Sequence, residues 1–299
     1  MDIRSSALVE GANEARRSTP LVVAWLVAFG LAVIVVAQMI VDPWAWALLG
    51  YPPDGTPASE IIQLFTNGAT LLVLAAWVWL WERRRFRTIG FRTLDASRAL
   101  LLGFAAGVAL LAIPVLALAA VGQLRSGLAP AVTTAGADAL PVVLGFIPVW
   151  LVQSGTEETV MRGYLLQRHA LKLAAWPAIL LVSVGFAIVH LDADPVALVN
   201  TVLFSVFLCF VSLAHGSLWP AIGIHAGWNM AQGNIFGIAV SGVPLTNSVF
   251  AFGPAPDSAS LLTGGFYGLE ASLVATVVLG VSSVAAYLYF LRAQAAGQI

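Results

Sequence analysis

Charge is what this chain has least of. Of its 299 residues only 10% are Asp, Glu, Lys or Arg, while 60% are hydrophobic and the mean hydropathy is +0.91. A soluble domain carries about a quarter charged residues. Too little polar surface exists to coat a water-exposed globule, so lipid must be the solvent for much of the chain. Cysteine is almost missing too. Cys209 stands alone in an apolar run, which excludes an intramolecular disulfide and reads as a small buried hydrophobe. The net charge of −1 gives no sign of a nucleic-acid partner. There is no internal repeat, no low-complexity tract and no soluble domain. Gly-x-Ser-x-Gly elbows, glycine-rich phosphate loops and His-Glu-x-x-His motifs are all missing, which removes the commonest hydrolase and nucleotide-binding signatures.

What is present is a series of long apolar runs. A membrane-spanning helix needs about 20 apolar residues. That ruler gives spans at 20–41, 60–81, 97–122, 140–171, 175–191, 195–214, 217–240 and 269–291. The fold class is therefore all-α, a polytopic membrane helix bundle of about eight transmembrane helices. The fourth span is long, and so tilted or interrupted; Ser154 and Gly155 are candidates for loosening it. The first run is longer than the apolar core of a cleaved signal peptide and further spans follow it, so it is expected to be retained.

Basic residues give the orientation. Arg4, Arg16 and Arg17 precede the first span. Arg83, Arg84, Arg85, Arg87, Arg92 and Arg98 fill the second link, Arg168 and Lys172 close the fourth span, and Arg292 closes the eighth. With eight spans these share one side, expected to be the cytoplasm, with both termini there. Asp42, Asp54, Glu60, Asp138, Asp192, Asp194, Asp257 and Glu270 fall on the other side, with Arg125 the exception. Trp44, Trp46, Trp77, Trp79 and Trp81 read as interfacial anchors. The glycine- and proline-rich connector 241–268 either folds back over the bundle's outer mouth or forms a flexible loop.

Chemistry-bearing residues stand out because charge inside a bilayer costs about 2.5–3.5 kcal/mol per group on insertion scales. Glu157 and Glu158 are adjacent in the fourth span. Glu158 and Arg162 are spaced i,i+4 with the acid first, the favourable order for a helical ion pair. Glu157, about 100° round the helix, is expected to lack a partner in its own helix. His190 ends the fifth span, with Phe186 one turn before it to fix its ring. His225 and Asn229 sit one turn apart in the seventh. Taken singly, such residues often serve as interhelical hydrogen-bonding glue, and Asn200 is read that way. His169 and His215 are expected to be non-catalytic. Together, Glu157, His190, His225 and Asn229 are expected to converge. A carboxylate and an imidazole can deprotonate water, while a second imidazole and an amide can steady an oxyanion. That is equipment for acyl-bond hydrolysis, most plausibly of a peptide.

At these residues the chain resembles the CPBP family, the CAAX-protease and bacteriocin-processing intramembrane proteases (Abi, or type II CAAX prenyl endopeptidase-like). The matching motifs are Glu157-Glu158-x-x-x-Arg162 followed by Gly163, Phe186-x-x-x-His190, and His225-x-x-x-Asn229. Gly264-Gly265-Phe266-Tyr267-Gly268-Leu269-Glu270 also looks like a stretch of many bacterial members. The resemblance covers about 140–292. It implies an eight-helix fold and an intramembrane endopeptidase, in which Glu157 and His190 activate water and His225 and Asn229 form the oxyanion site. Glu158, Arg162 and Phe186 would support them. The implied organisation is a cytoplasmic tail at 1–19, helices 1–3 at 20–139, and a catalytic bundle of helices 4–8 at 140–292, in a bacterial cell membrane. Expected partners are a peptide or membrane-protein substrate and the lipid bilayer.

The family is divided on metal, some members being labelled metalloproteases. A zinc ion would take Glu157, His190 and His225, leaving its fourth position to water, and Glu158 would then have to act as base. We favour no cofactor. The competing functions are a non-catalytic membrane immunity or peptide-binding protein, and a small transporter that uses the acidic pair for protons.

Overall fold

The computed structural model describes residues 1–28, 42–50, 52–92, 95–190 and 194–299. Seven helices carry the architecture: α1 Pro57–Leu80, α2 Ala96–Ala120, α3 Leu140–Glu158, α4 Ala175–Val189, α5 Pro195–His215, α6 Trp219–Met230 and α7 Leu273–Ala295. Each overlaps one of the expected spans, with α4 (15 residues) and α6 (12 residues) shorter than the spans expected there. Of the first span only 20–28 is described; 29–41 lies outside the described residues, as does Asp192.

Local sequence explains the boundaries. Thr56 accepts a hydrogen bond from the Ser59 amide ahead of α1, with Pro57 in the first turn. Asp194 accepts from the Val196 and Ala197 amides ahead of α5, again followed by proline, and Gly216 ends that helix in the left-handed conformation. Side-chain caps, a leading proline and a trailing glycine satisfy the free backbone groups of a helix end. Ser272 caps α7, so that helix starts at Leu273 rather than 269 and leaves Glu270 ahead of it in a short turn, Leu269–Ala271.

Among the described residues five helical stretches are long and apolar enough to cross a membrane: α1, α2, the segment Gly136–Ala170, α5 and α7. Large apolar side chains such as Leu72, Leu101, Ile113, Val277 and Val281 face outward. An outward apolar belt of that extent needs lipid, and the protein is an integral membrane protein. α5 is the most enclosed of the five.

α6 packs on α2 through glycines. A Cβ at Gly107 would stand 2.1 Å from the Ile224 carbonyl oxygen, and one at Gly227 would stand 2.2 Å from that of Phe104. Gly103 and Gly223 meet the opposite backbone in the same way. This is the small-xxx-small contact of membrane helices, in which missing side chains allow backbones to touch. With its glycine face against α2, α6 turns His225 and Asn229 the other way.

The long fourth span is interrupted, though not where Ser154 and Gly155 suggested. α3 runs regularly through both and changes at Thr159 into a π-helical stretch, Thr159–Leu166, before a last turn, Gln167–Ala170. α6 does the same after Asn229, becoming π-helical over Ala231–Ile235. Wider π turns are rare and gather at functional sites.

The connector after α6 folds back on the bundle. Its short strands Asn247–Ser248 and Phe252–Pro254 pair with Thr134–Ala135 (parallel) and Leu124–Ser126 (antiparallel), which lie ahead of α3. At the opposite end a buried ionic knot ties down the N-terminal segment. Glu82 accepts from Arg84 (2.7 Å), Arg168 (2.6 Å) and Thr19 (2.7 Å), while Gln167 donates to the Leu8 carbonyl. Arg84 and Arg168 are thus buried pairs rather than free surface charges. Gln294 reaches the backbone of Asp2, so the N-terminal segment and the end of α7 share one end of the bundle.

Candidate active site

The last turn of α3 presents the two acids to different surroundings. Glu158 is fully buried, and its Oε1 accepts from Arg162 Nη1 at 3.0 Å, the expected i,i+4 pair. The same oxygen lies 2.9 Å from His225 Nδ1 on α6. Glu158 is thus shared between a guanidinium of its own helix and an imidazole of another, a second contact that spacing alone did not reveal.

Glu157 turns toward a cavity of about 210 Å³. Its Oε2 lies 3.8 Å from His225 Nε2 and has no hydrogen-bond partner among the described residues. Its Oε1 accepts from the amide of Gln153, one turn earlier. The expectation that Glu157 lacks a partner in its own helix is therefore wrong, because it weighed charges and passed over a neutral amide at i−4. Gln153 Oε1 in turn accepts from Asn229 Nδ2 (3.2 Å) and Ser154 Oγ (3.0 Å). One glutamine thereby links α3 to α6.

His190 is the C-cap of α4, with Nδ1 2.8 Å from the Phe186 carbonyl oxygen. That contact places the Nδ1 proton on the carbonyl and leaves Nε2 as an acceptor. The Phe186 ring stands edge-on to His190 at 4.6 Å and to His225 at 6.2 Å, and carries the Arg162 guanidinium over it at 4.6 Å. It separates the charged pair from the cavity while fixing both imidazoles. Glu157, His190, His225 and Asn229, drawn from three helices, line this one cavity.

Further polar residues on its wall were not singled out from sequence as part of the site, among them Gln153, Gln63, Glu60 and Glu270. Glu60 and Glu270 were expected among the outer-side acids, yet Glu60 is 1% exposed and Glu270 is held by the Ser241 amide (2.6 Å). Both open a helix or the turn before one, which is where hydropathy reads a boundary and assigns charges to solvent. Burial pushes the Glu270 carboxyl up from its ordinary value, opposed by the Ser241 amide and by the charge of His190. A second cavity, of about 270 Å³, shares Glu157, Phe186 and His190, and its far wall includes Val160, Met161 and Val189.

The other candidates fall elsewhere. His169 is buried between the Leu165 carbonyl and Trp25 Nε1, and His215 bonds Ser217 in a turn. Asn200 donates to the carbonyls of Glu270 and Ser272, the helix-joining role expected of it, while its side chain also borders the cavity. Trp77 donates to the Tyr164 hydroxyl, while Trp44, Trp79 and Trp81 are exposed. Cys209 is buried and unpaired.

A zinc ion held by Glu157, His190 and His225 does not fit this arrangement. Among the described residues no three His, Cys, Asp or Glu side chains are grouped so that they could hold one ion.

Fold and site together define a helical integral membrane protein with an acid, two histidines and an amide around a buried cavity. Residues 139–231, from the start of α3 to the end of α6, match the family of the type II CAAX prenyl endopeptidase Rce1-like proteins. This supports the resemblance drawn from the three motifs, all of which lie within the matched segment. Neither a curated protein nor a solved structure matches the chain.

Proposed function

We propose that this protein is an intramembrane endopeptidase of the CAAX-protease type, hydrolysing a peptide bond with a water activated by Glu157 and His190. The observation that carries the reading is the single cavity lined by Glu157, His190, His225 and Asn229.

The chemistry follows from which atoms remain free. Glu157 Oε2 and His190 Nε2 are acceptors without protein partners of their own in the described hydrogen bonds, suited to taking a proton from water. The water oxygen attacks the carbonyl carbon as its proton passes to Glu157. The resulting oxyanion meets His225 Nε2–H and the second amide hydrogen of Asn229, whose first is donated to Gln153. Glu158, between Arg162 and His225, is placed to sustain a positive imidazole there. Collapse of the intermediate breaks the C–N bond, and Glu157 returns the proton to the leaving amine. No step requires a metal. The side on which the basic segments sit is proposed to be cytoplasmic, by the excess of arginine there.

The test is Glu157→Gln in the full chain, purified in nanodiscs and offered a randomised peptide mixture. Cleavage is expected to fall by about 10²–10⁴-fold, the usual contribution of a general base, with the thermal unfolding curve and peptide binding retained. Cleavage that survives the change would refute the assignment. A purely peptide-binding protein would show binding and no cleavage by either form.

A further inference from the structure

The cavity also carries two acids, Glu60 and Glu270, that the mechanism above does not use. Glu60, in the first turn of α1, is 1% exposed; its Oε1 accepts from Gln63 at 3.3 Å, and its Oε2 has no hydrogen-bond partner among the described residues. Glu270, just ahead of α7, borders the same cavity, with Oε2 held by the Ser241 amide and hydroxyl and by Gln232 at 3.3 Å. No lysine or arginine lines this space among the described residues. A buried carboxylate without a cation is costly, and among the described residues this cavity offers Glu60 and Glu270 no lysine or arginine, only the imidazoles of His190 and His225.

Among the described residues no three acidic, histidine or cysteine side chains are grouped to share one metal ion. Acids spread along a wall suit a longer cation, one that reaches between them on a flexible stem. The cavity lining also includes the apolar side chains of Val240, Val243 and Leu245, which suit such a stem. Lysine and arginine side chains combine an apolar stem with a charged head.

We propose that Glu60 and Glu270 form a subsite for a basic side chain, lysine or arginine, carried by the peptide next to the bond cleaved at Glu157. The substrate class is thus a peptide with a basic residue beside the cleaved bond. The proposal rests on the peptidase reading, and burial of Glu270 adds to it, since a cation would offset the cost of its ionised form.

The experiment offers the wild-type chain, in nanodiscs, a randomised peptide mixture and reads products by mass spectrometry. Lysine and arginine are expected to be enriched about ten- to a hundredfold at one fixed position beside the cleaved bond, the range of a charge-assisted buried contact. Glu60→Gln and Glu270→Gln, each nearly isosteric, should each lower that enrichment, and together bring it toward parity. Cleavage with no basic preference would overturn the proposal, as would a preference that survives the double substitution. If the wild type cleaves nothing, the peptidase reading falls and binding decides the subsite. Fluorescent peptides differing only in lysine against norleucine are then titrated by anisotropy. Tighter binding of the lysine peptide, lost on Glu60→Gln, sustains the subsite, and equal binding overturns it.

Discussion

His225 Nδ1 stands 2.9 Å from Glu158 Oε1, the oxygen that also takes Arg162 Nη1 at 3.0 Å. The carboxylate thus has a structural and a chemical neighbour at once. It neutralises a guanidinium sealed inside the bundle, and it fixes the imidazole that faces the cavity. On the proposed mechanism Glu158 is therefore expected to bear on activity as well as architecture, although it is not among the residues that line the cavity.

This sharing sets an order among substitutions. Arg162→Met strands a buried carboxylate and is expected to cost about 3–5 kcal/mol of stability. Adding Glu158→Gln should recover part of that loss, because the uncompensated charge is gone. Thermal unfolding in detergent reads both. Strictly additive losses would mean that the two side chains do not interact.

Gln153 is expected to behave as a positioning residue. Gln153→Leu removes the donor to Glu157 Oε1 and the acceptor for Asn229, freeing both side chains to drift. Displacements near 1 Å cost about a hundredfold in rate, so kcat should fall by about ten- to a hundredfold with KM little changed. Gln153→Glu should be worse, because it sets a second negative charge beside Glu157. An effect confined to KM would place Gln153 in substrate binding instead.

The glycine contact between α2 and α6 predicts a positional contrast. Gly107→Val drives a side chain into the Ile224 backbone and should destabilise by about 1–3 kcal/mol. Gly280→Val on α7, where nothing lies within 4 Å of the added Cβ, should be nearly silent. Comparing the two unfolding midpoints checks this without any assay of activity.

Glu270 gives a pH dependence of stability. Its folded-state pKa is raised by burial, so the folded protein binds that proton more tightly than the unfolded chain does. Stability then falls as pH rises from the ordinary carboxylate range toward the raised value, and levels off above it. Glu270→Gln should flatten this part of the curve, gaining on the wild type at neutral pH and losing the advantage in acid. Parallel unfolding curves for the two proteins from pH 4 to about 8 would contradict the shift.

Much of this was legible in the sequence. Apolar runs give helices because lipid leaves the backbone no other way to satisfy itself, and the i,i+4 order of Glu158 and Arg162 gave their pairing. Gln153 escaped because an amide in an apolar helix carries no charge to mark it. Glu60 and Glu270 escaped because hydropathy places helix ends within a few residues, which is enough to move an acid from cavity to loop. The link from Glu158 to His225 joins residues 67 apart, and the close approach of α6 to α2 depends on side chains that glycine does not have. Neither follows from local spacing.

The π-helical stretches after Glu158 and Asn229 offset the phase of the helix beyond them from that of the turns that carry the site. A regular helix transmits every rotation along its whole length, so moving Arg168 in its ionic knot would swing Glu157 as well. A wider turn between them absorbs the difference and keeps the backbone hydrogen-bonded in lipid. The anchoring end of the molecule can therefore accumulate sequence change without re-aiming the carboxylates. Deleting a single residue within 159–166 would remove that slack and couple the two ends again.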